Sequence, residues 1–492
     1  MNKARKSSGV ETFQNYIDGR WTSSSDGSTF EQANPARLSE ITGIFQSATP
    51  DDTLAAIEAA ENAFPTWRDT PVHARAEILK KALANMNNRQ EELAHILTLE
   101  NGKTLAESRT EITSAIKEME FQIGEGIRAY GDTLPSSIPG TLAYSVRQPL
   151  GVVGIISPWN FPFNVPGRKC TPALISGNTC VFKPASLTPQ TGLRFTELFI
   201  DAGLPGGVLN FVSGSGRRVG NVLVTDPRVK AISFTGSTEV GMGIQKQAAD
   251  TLTRTQLEMG GKNPVVVLED ADLDEAAEAT VRAAYACAGQ WCTSTSRAVV
   301  MKDIAQEFRV KVTQQAAAMV VGDGTDTNST MGPVCGTEQL ESIMAYIEKG
   351  KAEGATLLAG GNRMTGAPYD DGCFVEATVF AGVRPEMVIA QEEIFGPVLS
   401  IIEVDDFEEA IHVANGVRFG LCSSIFTNDL QRAMTFLERT ETGLTHVNLM
   451  TALKEPQLTF GGIKESGFGI PEAGKTGIEF FTEHKVAYVK YR

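Results

Sequence analysis

Between Gly151 and Ala249 the chain repeats one unit four times: a short apolar strand, a loop, then a helical stretch. The strands fall at residues 152–156, 179–183, 208–212 and 231–234, and the helical stretches at 167–176, 188–202, 217–225 and 238–249. Strands that alternate with helices lie parallel, because each helix carries the chain back across the sheet. The strand sequences VVGII and TCVFK are nearly apolar throughout, as expected of a sheet covered on both faces. This predicts an α/β fold whose parallel sheet binds ligands at the carboxyl ends of its strands.

With 492 residues the chain exceeds what one hydrophobic core serves, so further domains are expected. A second alternating α/β region starts near Pro264, with helices at 273–287, 303–317 and 337–354 and strands at 297–301, 355–358 and 398–404. Upstream, the polar first residues read as a mobile arm. Residues 15–21 read as a hairpin turning on Asp18-Gly19. Helices are predicted at 53–64, at 72–101 ending near Gly102, and at 105–130. Residues 141–148 and 486–491 alternate like exposed strands, and an edge strand at a chain end can pair with another subunit.

A net charge of −15 argues against a nucleic-acid or acidic-membrane partner. It does not exclude a small anionic substrate, since local arginines set the field in a pocket. The seven cysteines are odd in number and form no C-x-x-C pair, so neither a disulfide framework nor a metal site is read. No signal peptide and no membrane span is read from the chain, which points to a cytoplasmic protein.

Three segments offer chemistry together that none offers alone. Cys292 in GQWCT is a candidate nucleophile, although a lone cysteine reads first as a small buried hydrophobe. Glu258 in LEMGGKN is a candidate general base, and alone a solvated strand-end residue. Asn160 in SPWNFP follows an apolar strand and is a candidate oxyanion donor, and alone a turn asparagine.

Together these segments resemble the aldehyde dehydrogenase superfamily. Its signatures stand here as PWNFP at 158–162, FTGSTEVG at 234–241, LEMGGKNP at 257–264, GQWC at 289–292, EEIFGPV at 392–398 and FGGIKESGFG at 460–469. The resemblance implies that Cys292 attacks an aldehyde as a thiolate, that Asn160 and the Cys292 amide hold the oxyanion, and that Glu258 activates the water that hydrolyses the thioester. It implies cofactor contacts from Trp159, Lys183, Ser186, Gly216, Gly220, Gly236, Ser237, Glu393 and Phe395. It also implies a cofactor-binding domain at 1–130 and 150–258, a catalytic domain at 259–470 and a small β oligomerisation element at 131–149 and 471–492. A homodimer or homotetramer is expected.

The cofactor is expected to be NADP or NAD, with NADP favoured. Ser186 stands where NAD-preferring members carry a glutamate that would repel a 2′-phosphate, and Arg217 or Arg218 is near in sequence. The substrate is expected to be a short anionic or polar aldehyde such as a semialdehyde. Arg168 stands where many members place an aromatic tunnel wall, as in members acting on succinate semialdehyde or lactaldehyde. Lys454 and Arg282 add positive charge, and Phe161, Trp291 and Phe460 supply aromatic walls. Ala286 departs from the second arginine of succinate-semialdehyde enzymes, while the C-terminal FFTEHKVAYV resembles 2-oxoglutarate-semialdehyde dehydrogenases. The alternatives are a neutral aldehyde, with Arg168 paired to a neighbouring acid, an acylating enzyme that passes the thioester to coenzyme A, and a silent relative.

Overall fold

The computed structural model describes residues 5–7, 9–129 and 131–492. Five parallel strands form the centre of an eight-stranded sheet, in the spatial order Arg254–Glu258, Val229–Thr235, Val152–Ile156, Thr179–Lys183, Leu209–Phe211. Chain order reverses between Val152–Ile156 and Val229–Thr235, so the loops leaving those strands diverge and open a crevice. The loop at Ser157–Asn160 and the turn at Gly236-Ser237 lie at that switch point. The expected hairpin forms the far edge of this sheet, with Asp18 and Gly19 at positive φ of 51° and 76° in its two-residue turn. At the opposite edge Gly467–Phe468 pairs antiparallel with Leu257 and Glu258.

A second, seven-stranded sheet is parallel except at one edge, where Thr356–Ala359 runs against Thr378–Ala381. Its central strands, Asn263–Val267 and Thr295–Met301, begin on either side of the GQWC segment. The apolar run NPVVV is wholly buried, because helices cover both faces of the sheet. A small antiparallel sheet joins Thr482–Lys490 to Thr141–Pro149 and then to Thr133–Pro135. Among the described residues no helix is long and apolar enough to cross a membrane.

Several boundaries differ from the sequence reading. The first helix, Pro50–Asp69, runs on through Pro65, because Trp67 is buried and its indole N–H donates to the Leu174 carbonyl at 3.1 Å. The stretch 72–101 is two helices, Val72–Asn88 and Gln90–Asn101, broken after two asparagines that compete for backbone hydrogen bonds. Gly102 ends the second in the left-handed region, φ 96°. The next helix ends at Ile127, and Tyr130 lies outside the described residues. The N-terminal arm is partly outside them too, but Val10–Phe13 is a strand beside Arg37–Gln46 rather than a mobile segment. The stretch 217–225 starts as a π-turn at Gly216–Gly220 and becomes α-helical at Asn221–Thr225.

Candidate active site

Cys292, Glu258 and Asn160 line one cavity of about 960 Å³, between the ends of the two parallel sheets. Each is placed by its local sequence. Glu258 ends a sheet strand, opposite Thr235 on one side and Gly467 on the other. After Met259, Gly260 and Gly261 let the chain pass close to its neighbours: a Cβ on Gly261 would stand 2.7 Å from the Cys292 carbonyl oxygen. Asn160 leaves the strand Val152–Ile156 and carries an amide with two N–H donors. One of them donates to the Gln290 carbonyl at 3.0 Å.

The cysteine loop is held from several directions. Three consecutive residues, Cys287, Ala288 and Gly289, have positive φ of 52°, 54° and 68°, and they swing the chain out of the preceding helix, Leu273–Tyr285. Two of these are not glycine, so the turn stores strain that its contacts must hold. The Cys287 N–H donates to Glu107 at 2.6 Å. The Gln290 side chain donates to the Cys287 carbonyl at 3.1 Å and accepts from Cys335 N–H at 2.8 Å. Asn263 donates to the carbonyls of Cys292 and Ser294, both at 2.8 Å. The backbone on either side of the sulfur is thereby fixed.

Electrostatics set the resting protonation. Burial pushes the Cys292 thiol up to about 12, against the pull of Arg168 and Lys454. Burial thus favours the thiol at rest, and its proton must pass to a base for the sulfur to attack as the thiolate. Glu258 can receive it. Burial and the neighbouring Glu472 carboxylate raise its carboxyl well above the ordinary value. Its Oε2 is buried without a hydrogen-bond partner. A carboxylate poised this way is a stronger base than one in water.

The aromatic residues Phe161, Trp291 and Phe460 line the same cavity, as do Arg168, Lys454 and Arg282. Phe161 and Trp291 pack at 5.1 Å between ring centroids. Arg168 lies over the Phe460 ring at 4.4 Å and pairs with Glu472 at 2.9 Å. Its Nη1 is buried without a hydrogen-bond partner. Lys169 also pairs with Glu472. Burial pushes the Glu472 carboxyl up, but these two cations pull it below its usual value. Lys454 donates to Glu118 at 2.7 Å and to Asn164 at 2.9 Å. Arg282 is exposed at the mouth.

Trp159, Gly236 and Ser237, which follow first-sheet strands, and Glu393 and Phe395, which lead into the second-sheet strand Val398–Val404, line the same cavity. Lys183, Ser186, Gly216 and Gly220 do not line it and stand further along the carboxyl edge of the first sheet. Their chemistry fits a dinucleotide. The Lys183 ammonium meets the Pro184 carbonyl at 3.0 Å, which leaves two of its three N–H donors for a ribose, and burial brings it down to about 8. Ser237 caps the eleven-residue helix Thr238–Ala248, whose first N–H groups suit a pyrophosphate. Burial lifts Glu393 to about 7, against the Gly261 N–H that donates to it at 2.9 Å. Trp159 and Phe395 meet edge-on at 5.3 Å. Ser186 donates to the Gly214 carbonyl at 3.1 Å and places no carboxylate there. Arg218 pairs with Asp26 at 2.5 Å, while the neighbouring Arg217 is exposed.

The sequence reading missed Glu472, Lys169, Lys103 and Glu111. A signal for them existed. Lys169 and Glu111 stand within helical stretches beside apolar residues such as Ile112, Ala115 and Leu174, where a buried charge needs a partner.

The aldehyde dehydrogenase family model matches residues 21–487. The chain is 43% identical to an alpha-ketoglutaric semialdehyde dehydrogenase of Bacillus subtilis (strain 168), over 97% of this chain and 98% of that one. It is 40% identical to a 2,5-dioxopentanoate dehydrogenase of Saccharolobus solfataricus, over 97% and 99% of the two chains. Among solved structures, an NAD-dependent aldehyde dehydrogenase from Sinorhizobium meliloti superposes with a TM-score of 0.94 at 36% identity, over 98% of this chain and 95% of that one. An NADP dependent enzyme from E. coli superposes with a TM-score of 0.93 at 36% identity, over 97% and 98%.

Proposed function

This chain belongs to the aldehyde dehydrogenase family of NAD(P)-dependent oxidoreductases, and on that footing we propose that it oxidises a short 2-oxo acid semialdehyde to the dicarboxylate. One observation carries the substrate reading. The buried Arg168 guanidinium lines the cavity that holds Cys292, with Nη1 unpartnered. A buried guanidinium N–H without an acceptor calls for an anion, and a carboxylate matches its fork. The named activities of the two relatives, on alpha-ketoglutaric semialdehyde and 2,5-dioxopentanoate, support the same class.

The neutral-aldehyde reading rests on the Arg168–Glu472 pair. Charge balance disfavours it. Three cations, Arg168, Lys169 and Lys454, are in contact with two carboxylates, Glu472 and Glu118. Among these contacts the cluster lacks one negative charge. The far carboxylate of a semialdehyde supplies it.

The chain's residues then divide the chemistry. The Cys292 thiol loses its proton to Glu258 and its sulfur bonds to the aldehyde carbon. The second N–H of Asn160 and the Cys292 N–H hold the oxyanion. NADP or NAD, when bound, supplies the hydride acceptor. Glu258 gives that proton to solvent and then takes one from the water that attacks the thioester; the acid is released and the leaving Cys292 sulfur takes the proton back as the thiol. With such a base beside the thioester, water rather than coenzyme A is the acceptor. Lys183, Ser237 and Glu393 would hold the cofactor, and Ser186 with Arg217 would admit a 2′-phosphate, so NADP is expected to serve at least as well as NAD.

The test compares kcat/KM for a five-carbon 2-oxo semialdehyde and a neutral aldehyde of equal length, each with NAD and NADP. Arg168→Met, which keeps the stem on Phe460, is expected to raise KM for the anionic aldehyde about 10- to 100-fold, as loss of a charge-assisted bidentate contact does, and to change the neutral one little. Equal effects on both would overturn the anion reading.

A further inference from the structure

The Leu105–Ile127 helix turns a polar face into the molecule. Glu107, Glu111, Ser114, Glu118 and Gln122 recur every three or four residues, the spacing of one helix face. Glu111, Glu118 and Gln122 are 2%, 1% and 0% exposed. Burying carboxylates on a helix is costly without partners, so their partners define what the face does. Each reaches a different segment of the chain. Glu107 receives Cys287 N–H, Ser114 receives the Asn164 amide, Glu118 receives Lys454, and Gln122 donates to the Gly474 carbonyl.

The densest of these attachments surrounds Asn160. Glu111 accepts from Phe163 N–H at 2.8 Å and Asn164 N–H at 3.2 Å through one oxygen, and from Lys103 Nζ at 2.6 Å through the other. Lys103, 2% exposed, also donates to the Asn160 carbonyl at 2.6 Å and lies 4.1 Å over the Phe161 ring. Asn101 donates to the Trp159 carbonyl at 3.0 Å. Four backbone groups between Trp159 and Asn164 are thus held by three side chains of residues 101–111. The direction of the Asn160 amide follows from this frame together with its own N–H bond to the Gln290 carbonyl.

We propose that the buried Lys103–Glu111 pair is the positioning device that aims the Asn160 amide at the oxyanion. The proposal rests on the reading of Asn160 as oxyanion donor. Its signature is dependence: the pair should matter to the chemical step only while Asn160 has an amide to aim.

The test is a double-mutant cycle on the full chain, read by the pre-steady-state burst of NADPH with saturating aldehyde and NADP. Asn160→Ala is expected to slow the burst about 100-fold, the usual cost of losing one oxyanion donor. Glu111→Gln is expected to slow it about 10- to 100-fold, with unchanged Kd for NADP, since small misplacements of catalytic groups cost rates of this order. In the Asn160→Ala background, Glu111→Gln should add less than about 3-fold, as for residues acting as a unit. Multiplying effects, or a wild-type burst in Glu111→Gln beside a slow Asn160→Ala, would overturn the positioning role. A wild-type burst in Asn160→Ala would instead overturn the reading of Asn160 and the proposal with it. If Glu111→Gln does not fold, Lys103→Met with Glu111→Leu, which removes both charges of the pair together, replaces it in the same cycle with the same expected and overturning outcomes.

Discussion

Glu258 has two jobs, and each starts from its ionised form. Burial and the charge of Glu472 raise its carboxyl well above the ordinary value. It must be ionised to take a proton from Cys292 or from water, so turnover should fall as pH drops through that raised value. The sign follows from burial disfavouring the charged form. Because Glu258 takes the Cys292 proton as well as that of water, Glu258→Gln is expected to slow the burst of reduced cofactor and to lower steady-state turnover about 10²- to 10⁴-fold, the range of general-base losses. It should also remove the acidic limb of the turnover profile. Stopped-flow absorbance against pH checks both, and undiminished turnover would remove Glu258 from the hydrolytic step. Cys292, Glu258 and Asn160 were legible in the sequence because each sits in a short motif. Glu472 was not, because its meaning lies in Lys169 and Arg168, some three hundred residues earlier, and the pairing is visible only in space.

Among the elements, those whose signals are local were read well and those held by distant partners were not. The strands Val152–Ile156 and Thr179–Lys183 matched their predicted bounds, since an apolar run between turn residues needs no outside information. The helix Asn164–Ile175 starts before the predicted residue 167 because its first N–H groups are capped by Glu111, from another helix. The left-handed turn ahead of Cys292 was invisible, since Cys287 and Ala288 are not residues that announce positive φ. Gly289 completes that turn, and a Cβ there would stand 2.1 Å from the Gly396 carbonyl oxygen. Gly289→Ala is therefore expected to shift the cysteine loop against Asn160. A destabilisation of about 1–3 kcal/mol, in the range of overpacked sites, should appear in thermal melts. The burst rate should fall with it; a wild-type burst would show that the loop tolerates the shift.

On the scale of the molecule, the C-terminal strand Thr482–Lys490 is paired along nine residues with Thr141–Pro149 and stands at the edge of its sheet. Val486 and Tyr488, 57% and 71% exposed, point to the same face two residues apart. An exposed apolar edge strand is a place for pairing with another copy, which we propose is its role. Val486→Lys with Tyr488→Lys should lower the mass seen by light scattering from that of a dimer or tetramer. An unchanged mass would place the contact elsewhere.

The pairing of Lys169 with Glu472 spans 303 residues of chain. Its consequence lies in biosynthesis. A chain made from its N-terminus can form the first sheet early, yet Phe460, the strand that braces Glu258 and the acid that neutralises Arg168 and Lys169 all arrive near the end of translation. Until then the nascent polypeptide carries buried cations without their counter-ion. Competence is deferred until the chain is nearly complete, and a prematurely terminated product would carry the sulfur without a working site around it.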